Sequence, residues 1–190
     1  MQIDKLKTDN ERLTQQIEDL EAYSRRNNVI IHGIPATNYA DIAMSAQQDG
    51  TLDSAQTSES TTTAVLDLFN NKLGVQVEPH QISVAHRLSR GPAGSGRVAA
   101  TTPPPVIVTF VARNVRDRVF NARKKLKNLR EKIFINEHLS SAANELCRTG
   151  RQLIRDKKLE AIWSYNGRVY AKKSANGERF VVRQRADLPT

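Results

Sequence analysis

The chain has 190 residues, 38% hydrophobic, 26% charged and 5% aromatic, which suits one ordinary domain or two small ones and excludes a large aromatic core. Its formal net charge of +9 favours a polyanionic partner, first nucleic acid and second an anionic membrane surface. One cysteine excludes an internal disulfide, and no apolar run is long enough for a membrane span. We therefore expect a cytoplasmic or nuclear protein without a membrane span.

The charge is distributed unevenly along the chain. Residues 1–24 carry three basic and six acidic side chains, whereas residues 25–137 carry fifteen and nine, and residues 138–190 carry eleven and five. The surplus is densest between His80 and Lys173, with twenty basic and six acidic side chains. An acidic segment followed by two basic ones indicates separate roles, with contacts to phosphate expected after residue 24.

The N-terminal segment repeats on a heptad, with isoleucine at a, leucine at d and one asparagine at a. These positions are Ile3, Leu6, Asn10, Leu13, Ile17 and Leu20, here called the seam. A lone helix of this length is marginal in water, so the seam favours a coiled coil over a helix packed on its own domain. The identities of the core residues favour a parallel dimer. We predict an oligomerising coiled coil over residues 1–24.

Residues 25–137 are predicted to alternate strands and helices. Periodicity and breaker residues indicate strands at Val29–Ile34, Ile82–Leu88, Val106–Val111 and Ile133–Asn136, and helices at Thr63–Leu73 and Arg113–Leu129. Residues 36–61 and 91–105 are predicted to be flexible because they lack large apolar residues or are rich in Gly, Thr and Pro. The order β-α-β-β-α-β predicts an α+β domain, a split βαβ fold of RRM-like architecture.

Residues 138–190 are predicted to form a small α+β C-terminal domain. Ser140 can cap a helix that runs to Lys158. The pair Asn166-Gly167 between two alternating segments is the strongest short signal for a β-hairpin, because a type I′ turn needs two positive φ angles. A further strand over Phe180–Val182 would complete a small sheet.

Several of these segments resemble a known family. The junction Ser24-Arg-Arg-Asn-Asn-Val-Ile-Ile-His-Gly-Ile-Pro35, with Ala85-His-Arg-Leu-Ser89, Ile107-Val-Thr-Phe110 and Arg116-Asp-Arg-Val119, resembles the RRM-like domain of LINE-type retrotransposon first-frame proteins. Ile133-Phe-Ile-Asn-Glu-His-Leu139 and Ile162-Trp-Ser-Tyr-Asn-Gly-Arg-Val-Tyr170 are similar to the C-terminal domain of baculoviral few-polyhedra (FP) proteins. The resemblance implies a coiled coil that is often trimeric and two domains that bind single-stranded nucleic acid, in some members as a chaperone that packages RNA. Dimer and trimer therefore both remain open.

The candidate binding residues are basic side chains on two predicted helices, three further arginines, and one face of the predicted hairpin. Basic side chains lie off the apolar stripe of two predicted helices: Arg113, Arg116, Arg123, Lys124 and Lys127 on one, and Arg148, Arg151, Arg155 and Lys158 on the other. Because these side chains all carry positive charge, we favour a surface that binds phosphates over a charged face that only contacts water. Arg87 is a further basic candidate. Arg25 and Arg26 either hold nucleic acid at the end of the coil or cap its helix against the dipole.

The predicted hairpin supplies the third group. With Asn166-Gly167 as the turn, one face carries Trp163, Tyr165, Arg168, Tyr170 and Lys172, and the other carries Ile162, Ser164, Val169 and Ala171. The first face suits stacked bases and phosphates; alternatively, Trp163 and Tyr170 are a buried cross-strand pair. The predicted four-stranded sheet lacks the aromatics with which RRM domains stack bases, so binding is expected to follow the backbone rather than the sequence.

No catalytic constellation is apparent in the sequence. The four histidines and Cys147 lack metal-ligand spacing, and no phosphate-binding loop occurs, so we expect no metal, no cofactor and no enzymatic activity. The leading hypothesis is an oligomeric protein that binds single-stranded RNA or DNA. A coiled-coil adaptor whose basic surface meets an acidic protein or a membrane is the alternative, and a nuclease subunit is the weakest hypothesis.

Overall fold

The computed structural model describes residues 2–35, 54–88 and 103–189. Their fold is mixed α+β and divides into two units, Asn27–Asn136 on its own and Met1–Arg26 together with Glu137–Thr190. No helix within these ranges is long and apolar enough to cross a membrane. Of the two stretches predicted to be flexible, residues 36–53 and 91–102 lie outside the described residues.

The predicted N-terminal helix is present as α1, Gln2–Arg25, and its seam faces solvent. The five large apolar seam residues are 51% to 69% exposed, and Asn10 is exposed as well. The seam therefore does not pack on the unit to which α1 belongs. Covering it would remove five large side chains from water, each worth about 1.5–3 kcal/mol when fully buried.

The last turns of α1 contact the C-terminal residues through another side of the helix. The Ser140 hydroxyl donates to Glu18 at 2.6 Å, and Arg25 Nη1 donates to the Leu139 carbonyl at 3.2 Å. Ala22 packs beside Gly167. At about 100° per residue these positions project away from the seam, so α1 contacts the rest of its unit without covering the seam.

The unit Asn27–Asn136 contains a four-stranded sheet and two helices. Its strands are β1 (Asn28–His32), β2 (Ile82–Arg87), β3 (Val106–Phe110) and β4 (Phe134–Glu137), in the order β2-β3-β1-β4, and its helices are α2 (Ser54–Asp67) and α3 (Arg113–Ala122). The last residue of β4, Glu137, belongs to the other unit. β3 runs antiparallel to β1 and β2. Alternate strand residues such as Val29, Val108 and Phe110 join Phe69 and Val119 in one core, with the rings of Phe69 and Phe110 stacked at 5.7 Å.

Two local predictions for this unit are wrong, and one of its strands is irregular. α2 begins at Ser54 within the stretch predicted to be flexible, and it ends in π-helical turns over Leu68–Lys72. The second predicted helix is α-helical only to Ala122 and tightens to a 3₁₀ helix over Arg123–Asn128, which leaves Leu129 exposed. In β2 a register shift between Ile82 and Val84 inserts a residue, so Val84 turns outward and Ala85 is buried instead.

The C-terminal residues form a helix packed on a three-stranded antiparallel sheet. The helix α4 (Ser141–Arg155) begins at the predicted cap, where Ser140 Oγ accepts from the Ala143 amide at 3.1 Å. The sheet has the order β5 (Ala161–Tyr165), β6 (Arg168–Lys172) and β7 (Arg179–Val182). α4 approaches β5 closely at Gly150, where a Cβ would collide with the Ile162 side chain. Its apolar side thereby covers one face of the sheet and leaves the other face uncovered by α4.

Candidate nucleic-acid interface

The predicted hairpin and its register are confirmed. β5 and β6 pair antiparallel with Tyr165 opposite Arg168 and Trp163 opposite Tyr170. Asn166 and Gly167 have φ angles of 53° and 77°, the two positive values that a type I′ turn requires. Asparagine and glycine adopt this region at low cost, so the dipeptide itself determines which residues face each other across the strands.

Alternation along the strands separates an inner from an outer face. Val169, Ala171 and Val182 are buried beneath α4, while Ile162 and Phe180 pack against them. The outward positions form the surface that we call the hairpin face: Trp163, Tyr165, Arg168, Tyr170, Lys172, Arg179 and Val181. The sequence therefore predicted correctly which hairpin residues share a surface.

The aromatic residues of the hairpin face are partly accessible. Trp163 and Tyr170 stack across the strands with ring centroids 6.0 Å apart and planes inclined by 17°. Both are half-buried and neither belongs to the core beneath α4, whereas Tyr165 is 59% exposed. The pair is thus a cross-strand contact that still presents aromatic surface to solvent. The cross-strand pair of the second alternative is therefore present, but it is half-buried instead of fully buried.

The charges of the hairpin face have a single sign. Arg168 and Arg179 are exposed and Lys172 is half-buried, and no outward position of the described strands β5 to β7 holds Asp or Glu. Sequence reasoning missed Arg179 and Val181. Their register with Lys172 and Tyr170 places them on this face, and the alternation around Phe180 and Val182 was the signal that could have revealed them.

The basic residues predicted on the C-terminal helix form a ridge on the solvent side of α4 and just beyond its end. Arg148, Arg151, Arg155 and Lys158 are all exposed. Glu145 accepts a hydrogen bond from Arg148 at 2.8 Å and so raises the pKa of Arg148. Because the opposite side of α4 covers the inner face of the sheet, this ridge and the hairpin face lie on different sides of the C-terminal residues. The ridge is therefore a separate basic surface.

The five basic residues predicted on the other helix do not form a continuous surface. The Arg116 side chain is only 5% exposed: its guanidinium lies 4.3 Å from the Phe120 ring centroid and contacts Asp117 at 2.9 Å. Arg123 lies over the same ring at 3.6 Å, and Arg113 pairs with Asp117 at 3.6 Å. The prediction that Arg116 offers its charge to a ligand is wrong, because its stem and guanidinium pack against an aromatic side chain. Of the five predicted positions, only Lys124 and Lys127 are exposed.

Two further predicted arginines are held by backbone carbonyls. Arg87 donates to the carbonyls of Ile34, Pro35 and Pro104 at 2.9 to 3.3 Å. Arg25 donates to Leu139 and pairs with Glu21 at 3.2 Å within the last turn of α1. These contacts favour a structural role for both, whereas Arg26 lies over the Tyr23 ring at 3.7 Å and remains half-exposed.

The contact between Arg25 and His138 predicts a dependence of stability on pH. Arg25 Nη1 lies 3.0 Å from His138 Nε2, which can accept a hydrogen bond only while it carries no proton. Burial, and next the charge of Arg25, lower the pKa of His138 below 6.5, although Glu21 opposes this. The unfolded chain therefore takes up the proton first as the pH falls. The stabilisation is complete above pH 6.5 and is lost as the pH falls through the lower folded-state value.

We expect His138→Gln to flatten this dependence, because the glutamine amide can accept from Arg25 without titrating. Thermal unfolding at about pH 7.5 and about pH 5.5 should show a smaller loss of Tm for this variant than for the natural chain. His86→Gln, at an exposed position on β2, is the matched control. Equal losses in the natural chain and in His138→Gln would contradict the prediction.

No group of three or more His, Cys, Asp or Glu side chains in the described ranges is arranged to hold a metal ion. Cys147 lies on the buried side of α4, and burial raises the pKa of its thiol. Comparison of the sequence with models of known protein families and with curated proteins finds no match. The choice of the hairpin face as the candidate site therefore rests on its own residues alone.

Proposed function

We propose that this chain is an oligomeric protein that binds single-stranded nucleic acid without catalysing a reaction, of the RNA-packaging or chaperone type found in retroelements and related viruses. The observation that carries the proposal is the hairpin face, which combines a stacked Trp163–Tyr170 pair, the exposed Tyr165 and three cationic side chains without an acidic one. Bases can stack on the aromatic rings, and the cationic side chains can bind phosphates.

The geometry of the face favours a single strand over a duplex. Trp163 and Tyr165 are two residues apart on one strand, a separation of about 6.6 Å. Successive bases in a duplex rise by about 3.4 Å, so neighbouring bases can occupy both rings only if the strand is stretched and unstacked. A duplex would also keep its bases away from the rings. Single-stranded RNA and DNA both meet these requirements.

The remaining parts of the chain are assigned roles that fit this activity. The exposed seam of α1 suits a coiled coil that joins two or three copies, and the unit with the strand order β2-β3-β1-β4 suits the RRM-like domain that the resemblance implies. Joining copies multiplies weak contacts along one strand. The C-terminal residues would correspond to the FP-type domain and contribute the principal binding surface.

A fluorescence titration tests the proposal directly, because Trp163 is the only tryptophan in the chain. Adding a single-stranded oligonucleotide at low salt should quench its emission, and a duplex of the same length should quench it less. The affinity should fall steeply with salt as phosphate counterions are released. Absence of quenching and of binding at low salt would refute the proposal, and binding to anionic vesicles or an acidic peptide alone would favour the adaptor function.

The salt series also tests the cation that sequence reasoning missed. Arg179→Gln should weaken binding similarly for all sequences and lower the slope of log affinity against log salt by about one. Arg185→Gln is the matched control, because Arg185 is an exposed arginine in the 3₁₀ turn Arg185–Asp187 after the sheet. Equal slopes for Arg179→Gln and the natural chain would remove Arg179 from the binding surface.

A further inference from the structure

The turn of the hairpin is held from two sides. Glu137 is 7% exposed, and its Oε1 accepts a hydrogen bond from the Asn166 amide at 2.9 Å. From the other side Ala22 of α1 packs against Gly167 so closely that a Cβ at Gly167 would lie 3.0 Å from Ala22 Cβ. Both turn residues therefore contact parts of the chain that are distant in sequence.

The strand ladder leaves the Asn166 amide without a backbone partner. Tyr165 and Arg168 pair with each other across the strands, whereas the amide of the first turn residue projects away from the ladder and ordinarily bonds to water. A buried carboxylate that accepts this amide is costly to desolvate and forms a strong, directional hydrogen bond. The contact thus restrains the end of the hairpin that would otherwise be its most mobile part.

We propose that Glu137 is a positioning residue of the hairpin face: by holding the turn, it fixes Tyr165 and Arg168, the two face residues that flank the turn, before a ligand binds. The inference rests on the proposed function. Side chains that are ordered in the free protein lose less entropy on binding, so the held turn raises affinity without touching the ligand. Glu137 itself is buried and does not reach the nucleic acid.

The test compares three variants of the full chain by Trp163 fluorescence titration with a single-stranded oligonucleotide. Glu137→Gln keeps a side-chain oxygen that can accept the Asn166 amide and should bind as the natural chain does. Glu137→Ala removes the acceptor and should weaken binding by about three- to tenfold. Glu137→Asp retains the charge but withdraws the carboxylate by one methylene, and it should resemble Glu137→Ala. It serves in place of Glu137→Ala if that variant does not fold.

A double-mutant cycle separates positioning from general stability. In the background Tyr165→Ala with Arg168→Gln the flanking residues no longer contribute, so the effect of Glu137→Ala should largely disappear. An undiminished loss in that background would overturn the inference, and so would Glu137→Gln binding as weakly as Glu137→Ala. If Tyr165→Ala with Arg168→Gln itself binds as tightly as the natural chain, the proposed function of the face fails instead.

Discussion

Replacing Leu6, Leu13 and Leu20 with serine should convert the protein to single copies and lower its affinity for a long single strand by about 10²- to 10⁴-fold. The three leucines are 51% to 69% exposed along one line of α1, and a coiled coil is the arrangement that would cover them. The substitutions spare Glu18, Ala22 and Arg25, through which α1 contacts its own unit. Each hairpin face should therefore remain intact while avidity is lost.

Light scattering measures the mass of the assembly, and two oligonucleotide lengths separate avidity from the intrinsic affinity of one face. A short strand that covers a single face should bind the serine variant as well as it binds the natural chain. Serine at Lys5, Thr8 and Gln15, which are exposed on α1 outside the seam, is the matched control. If the natural chain has the mass of one copy, or if the leucine variant keeps its full affinity for a long strand, the oligomeric part of the proposal is wrong.

Trp163→Ala should weaken binding of a single strand by about 1–3 kcal/mol, the usual value of one base stacked on an aromatic ring, or roughly ten- to a hundredfold. The variant should lose only a few degrees of Tm, because Trp163 lies outside the core and its contact with Tyr170 is worth about 0.5–1.5 kcal/mol. Trp163→Phe should recover much of the affinity, since it retains a ring.

Leu153→Ala provides the converse control for this variant. Leu153 lies on the buried side of α4, so its truncation should cost about 2–5 kcal/mol of stability and yet leave binding by the folded protein intact. Because Trp163→Ala lacks the reporter, binding is followed by the anisotropy of a labelled oligonucleotide. A large loss of Tm in Trp163→Ala without a loss of affinity would show that the residue stabilises the sheet and does not stack on bases.

The parts of the site that could be predicted from the sequence are those that local geometry determines. Asn166 and Gly167 impose the turn, the turn imposes the register, and strand alternation then places Trp163 and Tyr170 on one surface. The order of strands and helices in the unit Asn27–Asn136 was predicted for the same reason, because apolar periodicity is a local property. The boundaries of α2 and the irregularity of β2 were not, since packing decides where a helix begins and where a strand bulges.

Whether a basic side chain is free to bind a ligand could not be predicted from the sequence in this way. By residue type, a phosphate-binding surface could include Arg116, Arg87 and Arg25. In the structure, however, an aromatic ring contacts the first, and backbone carbonyls accept hydrogen bonds from the other two. An arginine side chain reaches whichever partner the fold brings near it, and most of these partners are distant in sequence. Charge alone therefore overestimates the size of the candidate interface.

The heptad of α1, the alternation of elements and the composition of the hairpin face could be recognised in the amino-acid sequence, because periods of 3.5, 3.6 and 2 residues need no distant contact. The folding of the chain, by contrast, leaves the seam exposed and brings the end of α1 into contact with Leu139 and Gly167. It also decided that Arg179 joins the hairpin face and that Glu137 holds the turn. These features depend on which segments of the chain lie next to each other. That arrangement is determined by burial and hydrogen bonding between residues that are distant in sequence.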